Sequence, residues 1–357
     1  MYNEGLRMKI LVIQQKMIGD VLTTSILFEA LKQKYPISEL HYAINSHTYP
    51  VVENNPFIDR FVFINPEMEK NKLKFFSFLK TIKKERYDVV IDVYNKISSN
   101  LISLFSNAKN KISYHKKYTS FIYDCSIKRL KQPENNASLA IENRFKLLES
   151  LEIEYTNILP KVYLTKKEVE GSKHFLEAHN IMIGNPLFMI SVLGSSKKKT
   201  YPLQYMATLI DKIADVEDSQ ILFNYLPNQK EHAKQVFDSC KPDTKKQILL
   251  NVFGKSLREF LAITYHCKAL IGNEGGATNM AKAMQIPTFT IFSPYLNKKN
   301  WFGENETKKH VALHLSDFIS YSEKDLSNAK ESPETYYLKF KPKFIIPYLK
   351  AFLSNEL

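Results

Sequence analysis

Short apolar runs alternate with longer amphipathic stretches along most of the chain. Residues 8–15 (MKILVIQQ) form an apolar run rich in branched side chains, which predicts a buried strand. Residues 20–34 switch to helical spacing, with Val21, Leu22, Leu27, Ala30 and Leu31 as the apolar set, and stop before Pro36. Further strands are predicted at 40–45, 60–65 and 87–94, and helices at 72–85, 99–105 and 137–151. In 72–85, Phe75, Phe78, Leu79 and Ile82 share one face. The second half repeats the rhythm, with strands at 187–193, 220–225, 247–253, 269–272 and 288–292. Its helices are predicted at 203–216, 229–238, 256–266 and 277–285, and a last apolar helix at 343–353 is expected to break at Pro347.

Strands alternating with helices in this way imply parallel sheets in layered α/β domains. Right-handed crossovers then place the loop after each strand on one edge of the sheet, where such folds bind ligands. A length of 357 residues suits two domains. The expected division is 1–165, 166–335 and a helical tail at 336–357. The boundary falls within 151–186, where Pro160, Gly171, Gly184 and Pro186 surround a charged segment at 166–173. No solenoid repeat or low-complexity segment interrupts the pattern.

Composition adds direction. The net charge is +13, which favours a polyanion as partner: nucleic acid, anionic lipid or phosphorylated glycolipid. No zinc finger, stacking-aromatic signature or other nucleic-acid motif accompanies the charge. The three cysteines, Cys125, Cys240 and Cys267, are far apart and form no Cys-x-x-Cys pair, as suits buried thiols in a reducing cytoplasm. The apolar run after Lys9 is too short for a secretory signal, and no run approaches the ~20 residues needed to span a bilayer. A cytoplasmic protein, soluble or peripheral on a membrane, is expected.

Three loops carry candidate chemistry. Lys16-Met17-Ile18-Gly19-Asp20 joins the first strand to the first helix. Asp20 suits either a helix cap or a carboxylate base that removes a proton from a sugar hydroxyl. Gly194-Ser195-Ser196-Lys197-Lys198-Lys199 follows the strand at 187–193. Small residues, hydroxyls and a lysine suit a phosphate, while the alternative is a solvated lysine run. Gly272-Asn273-Glu274-Gly275-Gly276-Ala277-Thr278-Asn279 follows a strand and opens a helix. Adjacent glycines there bare backbone N–H groups where a helix dipole attracts an anion. The loop is neither Gly-x-Gly-x-x-Gly nor a Walker loop, so hydride transfer and ATP hydrolysis are not favoured. No His-Glu-x-x-His, no His/Cys metal cluster, no Gly-x-Ser-x-Gly and no Asp-x-Asp appears.

These segments, in this order, resemble glycosyltransferase family 9, the ADP-heptose:lipopolysaccharide heptosyltransferases. The match runs through MKILVIQQKMIGDVL, YDVVIDVYNKISSN, GSSKKKTYP, LPNQKEHA and IGNEGGATNMAKAMQIPTFTIFSP. It covers most of the chain from Met8 to about Trp301. The resemblance implies a GT-B architecture, two Rossmann-like domains facing across a cleft, the first taking the acceptor and the second a nucleotide-sugar. It implies an inverting reaction that needs no metal. Asp20 matches the family's catalytic base, and Lys199 the lysine that neutralises the leaving group. Ser195 and Ser196, beside Gly194, match the hydroxyls near the diphosphate. Glu231 matches a nucleotide contact. Gly275 and Gly276, with Glu274, Ala277 and Asn279, fall on the phosphate-binding turn. Lys16 and Gly19, beside Asp20, are the acceptor-side candidates.

The last motif departs from the family, which usually reads Asp-(Thr/Ser)-Gly-x-x-His. Here the acid is Glu274, the hydroxyl is lost to Gly275, and histidine is replaced by Asn279. Tyr201 also stands where tryptophan is common. The expectation is therefore transfer of a sugar, heptose from ADP-heptose or another nucleotide-sugar, onto an anionic glycolipid at the cytoplasmic face of the inner membrane. The alternatives are a non-catalytic nucleotide-sugar or glycan-binding protein, and a nucleic-acid binder driven by charge alone.

Overall fold

The computed structural model describes residues 7–304, 306 and 309–356. Two compact units divide them. Residues up to 163, with 299–304, make the first; residues 164–298 and those from 306 onward make the second. Residues 336–356 therefore belong to the second unit rather than forming a separate tail.

The first unit holds β1 (Lys9–Ile13), β2 (Glu39–Asn45), β3 (Arg60–Ile64), β4 (Val89–Asp92), β5 (Asn110–Tyr114) and β6 (Cys125–Ile127). They form a parallel sheet in the order β3-β2-β1-β4-β5-β6. The order reverses direction between β1 and β4. Leu11, Ile13, Ala43 and Val90 project to one face, where Phe78, Leu79, Ile82 and Ile102 of two helices cover them. The expected helix at 20–34 is two helices, Ile18–Thr24 and Ile26–Lys34, joined at Ser25, whose side chain turns back to the Leu22 carbonyl at 2.7 Å.

The second unit holds β7 (Leu187–Ser191), β8 (Gln220–Asn224), β9 (Ala269–Asn273), β10 (Thr288–Ile291) and β11 (His310–Leu313). Its order is β11-β10-β9-β7-β8, again parallel, and it reverses between β7 and β9. The strand period of two is explicit here. Phe188 and Ile190 face one cluster with Met206, Ile210 and the C-terminal helix, while Leu187 and Met189 face another with Leu176 and Ile263. Both faces are covered, which is why these strands read as continuous apolar runs.

Three further expectations change. Residues 247–253 form no strand; after the helix Pro242–Gln247 only a bridge between Ile221 and Ile248 forms beyond β8. The charged segment at 166–173 is the start of the helix Lys166–Ala178, closed by a reciprocal cap of Thr165 and Glu168. The last helix, Pro342–Glu356, runs through Pro347. A proline so near the helix start removes a single hydrogen bond, and buried Ile345, Leu349, Phe352 and Leu353 anchor the helix regardless.

Candidate active site

In each sheet, the strand order reverses between two neighbouring strands. Loops leaving such a pair diverge and open a crevice at the carboxyl edge, the favoured ligand position in parallel α/β folds. In the first unit that pair is β1 and β4, followed by the Asp20 loop and by Asp92. In the second it is β7 and β9, followed by the Gly194–Lys199 and Glu274–Asn279 loops.

Asp20 sits in the first turn of the helix Ile18–Thr24 but does not cap it. Met17 is the N-cap, and no side chain bonds the free N–H groups there. Instead Arg144 Nη2 donates to Asp20 Oδ1 at 2.9 Å and to the Asp20 carbonyl at 3.2 Å. Arg144 is itself fixed, with Nε on Thr24 Oγ1 at 2.8 Å and Nη1 on the Ala140 carbonyl at 2.7 Å. The guanidinium is buried, whereas 34% of the Asp20 side chain remains exposed. Oδ2 has no hydrogen-bond partner among the described residues. One oxygen is thus held and the other is open, the arrangement a proton acceptor needs. Gly19 is buried in the same turn, its carbonyl accepting from Thr23 Oγ1 at 2.8 Å, and Lys16 is half-buried beside it.

Arg144 was not anticipated. It lies on the helix Leu139–Lys146, whose neighbour Glu142 pins the preceding loop by accepting from the backbone N–H groups of Glu134, Asn135 and Ala137 at 2.6, 2.8 and 3.0 Å. Nothing local in the sequence marks a partner 124 residues away.

Asp92 also escaped the sequence reading. It ends β4 fully buried. Burial pushes its carboxyl up to about 6, against the opposing pull of the Tyr123 hydroxyl and the Asn95 N–H. Tyr123 O lies 2.6 Å from Asp92 Oδ2 and 2.8 Å from Asn100 Oδ1. A phenol has one hydrogen to give. The Tyr123 hydroxyl gives that hydrogen to the Asp92 carboxylate or to the Asn100 amide oxygen.

In the second unit, the loop after β7 turns tightly. A Cβ on Gly194 would lie 2.2 Å from the Lys199 carbonyl oxygen, so only glycine fits. Gln229 Nε2 donates to the Gly194 carbonyl at 2.9 Å, setting the helix Lys230–Ser239 beside the loop with exposed Glu231 in its first turn. Ser195 and Ser196 are exposed, as are Lys197 and Lys198. Of the lysine run, only Lys199 turns inward: its Nζ lies 3.0 Å from Glu274 Oε1, which is 93% buried by side chain. The pair is close but not aligned as a hydrogen bond, and Glu274 Oε1 has no hydrogen-bond donor.

The two loops are tied by Asn273, a residue without an assigned role in the sequence. Its Oδ1 accepts from the Tyr201 N–H at 2.7 Å and its Nδ2 donates to the Ser191 carbonyl at 2.9 Å. Gly275 is the N-cap of the helix Gly276–Ala283, and no atom lies within 4 Å of where a Cβ would stand on Gly275 or Gly276. The turn is open toward an incoming group. Ala277 is partly buried with its methyl against the core, and half-buried Asn279 donates its N–H to the Gly275 carbonyl at 3.3 Å. Among the described residues, no three His, Cys, Asp or Glu side chains cluster as metal ligands, and no helix is long and apolar enough to cross a membrane.

The family model for glycosyltransferase family 9 (heptosyltransferase) matches residues 75–328. The chain belongs to that family. It is accordingly a glycosyltransferase. Lipopolysaccharide heptosyltransferase 1 of Campylobacter coli is 24% identical over 84% of this chain and 88% of its own length. A family 9 glycosyl transferase from Veillonella parvula superimposes with a TM-score of 0.81 at 18% identity, covering 98% of both chains. The ADP-heptose lipopolysaccharide heptosyltransferase II of Escherichia coli gives 0.72 at 16% identity, over 98% of this chain and 99% of that one. The shared fold is the GT-B class of two Rossmann-like α/β units.

Proposed function

We propose that this family 9 glycosyltransferase moves heptose from ADP-heptose onto a lipopolysaccharide core or related surface glycan, with inversion and without a metal. Asp20 Oδ2 takes the proton of the acceptor hydroxyl as that oxygen attacks the anomeric carbon, while Arg144 keeps Oδ1 in place. Lys16 and Gly19 border the acceptor. On the donor side, Lys199 and the hydroxyls of Ser195 and Ser196 meet the diphosphate as its bond to the sugar breaks. The N–H groups of Gly275, Gly276 and Ala277 add the pull of a helix N-terminus. Glu231 meets the nucleoside, and Glu274 and Asn279 border the sugar and phosphates. In this reading the negative charge that builds on the leaving group is met by protein donors rather than by a cation. The acceptor is an anionic glycolipid, suited to a protein of net charge +13 working at the cytoplasmic face of the inner membrane.

The observation that carries this reading is the coincidence of Asp20 and Lys199 with the strand-order reversals of their sheets. Two of the relatives named above are titled as lipopolysaccharide heptosyltransferases, one of them for ADP-heptose. The test incubates purified protein with ADP-heptose and a deep-truncated lipopolysaccharide acceptor, with and without chelator. Transfer with inverted anomeric configuration, unchanged by chelator, is expected. No transfer from ADP-heptose, alongside transfer from another nucleotide-sugar, would move the donor and point to the Glu274–Asn279 departure as its cause.

A further inference from the structure

The helix Ile97–Phe105 of the first unit leaves apolar side chains on its outer side while burying polar ones. Its inward side is mixed: Ile102 lies in the core, and Ser99, Asn100 and Ser103 are buried beside it, with Asn100 bonded to Tyr123. Its outward side is apolar, with Ile97 and Leu104 exposed, while Leu101 is half-buried against the core. The helix Lys72–Lys84 packs beside it and adds exposed Leu73 and Phe76, the latter with its ring 6.0 Å from Phe105. The turn Ser120–Ile122 also packs on it, next to Tyr118. Four large apolar side chains stand out as the most exposed among the described residues: Leu73 at 82%, Phe121 at 82%, Ile97 at 79% and Tyr118 at 71%. All four stand on the helix Ile97–Phe105 or on the helix and turn region packed against it.

The charge around the strip is one-sided. From Lys70 to Lys131 the chain carries fifteen Lys or Arg and four Asp or Glu, which accounts for most of the net +13. The helix Lys72–Lys84 has five lysines and no acid. Lys80 lies 5.2 Å over the Phe76 ring and Lys116 6.0 Å over the Tyr118 ring. Lys72, Lys83, Lys84, Lys96 and Lys117 meet no carboxylate among the described residues. Leu73, Ile97 and Leu104 offer a nucleic acid nothing to stack on, and no nucleic-acid motif accompanies the aromatic rings beside them. Aromatic and aliphatic groups framed by free ammoniums suit an anionic bilayer, the apolar groups at the acyl boundary and the lysines at the phosphates.

We propose that this face docks the protein on an anionic lipid bilayer. The strip begins beside the Asp20 loop, since Ser98 Oγ donates to Gln15 Oε1 at 2.7 Å just before that loop. Docking holds the lipid surface next to the acceptor-side carboxylate. The proposal deepens the transfer reading and rests on it for its purpose, but its test needs no turnover.

The full chain is sedimented with vesicles of phosphatidylglycerol and phosphatidylethanolamine, and with phosphatidylcholine alone. Binding to the anionic vesicles only is expected. The triple variant Ile97→Ser, Leu104→Ser, Phe121→Ser should bind about tenfold more weakly or worse, with an unchanged melting temperature because these side chains are exposed. A second variant, Lys72→Gln with Lys80→Gln and Lys117→Gln, should weaken binding most at low salt. Absence of wild-type binding, or equal binding by both variants, overturns the proposal. So does a wild-type dimer that the triple variant dissolves, which would assign the face to a second copy. Vesicle binding without any heptose transfer would fail the transfer reading alone.

Discussion

The two units build the same frame and load it with opposite charge. Each is a parallel sheet whose order reverses at one pair of strands, and each places its chemistry on the loops leaving that pair. In the first unit these loops end in carboxylates, Asp20 steered by a buried arginine and Asp92 sealed in the core. In the second they end in a lysine, two hydroxyls and a glycine turn at a helix N-terminus. The fold supplies a place, and the loops give it carboxylates in one unit and an anion-attracting set in the other. The buried partners mirror each other: a cation steers the acid in one unit, and an acid steers the cation in the other.

That mirror can be broken from the donor side first. Lys199→Ala should lower kcat/KM by about 10²–10³, as loss of a charge-stabilising donor does elsewhere, and should weaken ADP binding in calorimetry. It also leaves Glu274 buried without its cation. Full activity in this variant would detach Lys199 from the leaving group. On the acceptor side, Arg144→Ala removes the hold on Asp20 Oδ1 and on Thr24. Turnover is expected to fall about tenfold with donor affinity unchanged, and stability by on the order of 1–3 kcal/mol in urea unfolding. Arg144→Lys should recover part of the stability but not the turnover, because an ammonium cannot reach Asp20, Thr24 and Ala140 together.

The smallest effect separates the two carboxylates of the first unit. Burial raises Asp92 to about 6, so the folded protein holds this proton more tightly than the unfolded chain does. The resulting stabilisation is full below the ordinary carboxylate range near 4 and is lost as pH rises through 6, a span worth on the order of 3 kcal/mol. Urea midpoints at pH 4.5 and 7.5 should therefore differ less in Asp92→Asn than in the wild type. An equal difference in both would place the proton elsewhere.

The sequence patterns were most legible where strands are buried on both faces. β1, β2, β4, β7, β9 and β10 all read as apolar runs, and their loops followed from them. β5, β6 and β11 were missed because NKISY, CSI and HVAL are short and only partly apolar. The false strand at 247–253 shows the converse: ILLNVF is apolar enough, yet only Ile248 pairs with the sheet. The charged start of the helix Lys166–Ala178 read as a boundary although Thr165 and Glu168 carry the capping pattern. At the candidate site, Asp20 and Lys199 stood out through the resemblance to the family's motifs, since an aspartate at a helix start or a lysine run on a loop is ordinary by itself. Their supports did not stand out. Arg144 reaches Asp20 across 124 positions, and Asn273 ties two loops through its side-chain amide. Such pairings are set by how the helices and loops pack, which local spacing does not encode. The apolar outer stripe of Ile97–Phe105 was hidden for a related reason, since the hydrophobic pattern alone assigns it to the core.

The central claim is that Asp20 acts on the acceptor and only there. Asp20→Ala should reduce kcat by about 10³ or more while ADP-heptose affinity, measured by calorimetry, stays within about twofold of wild type. A variant that turns over near the wild-type rate, or one that loses the donor along with the chemistry, would contradict it.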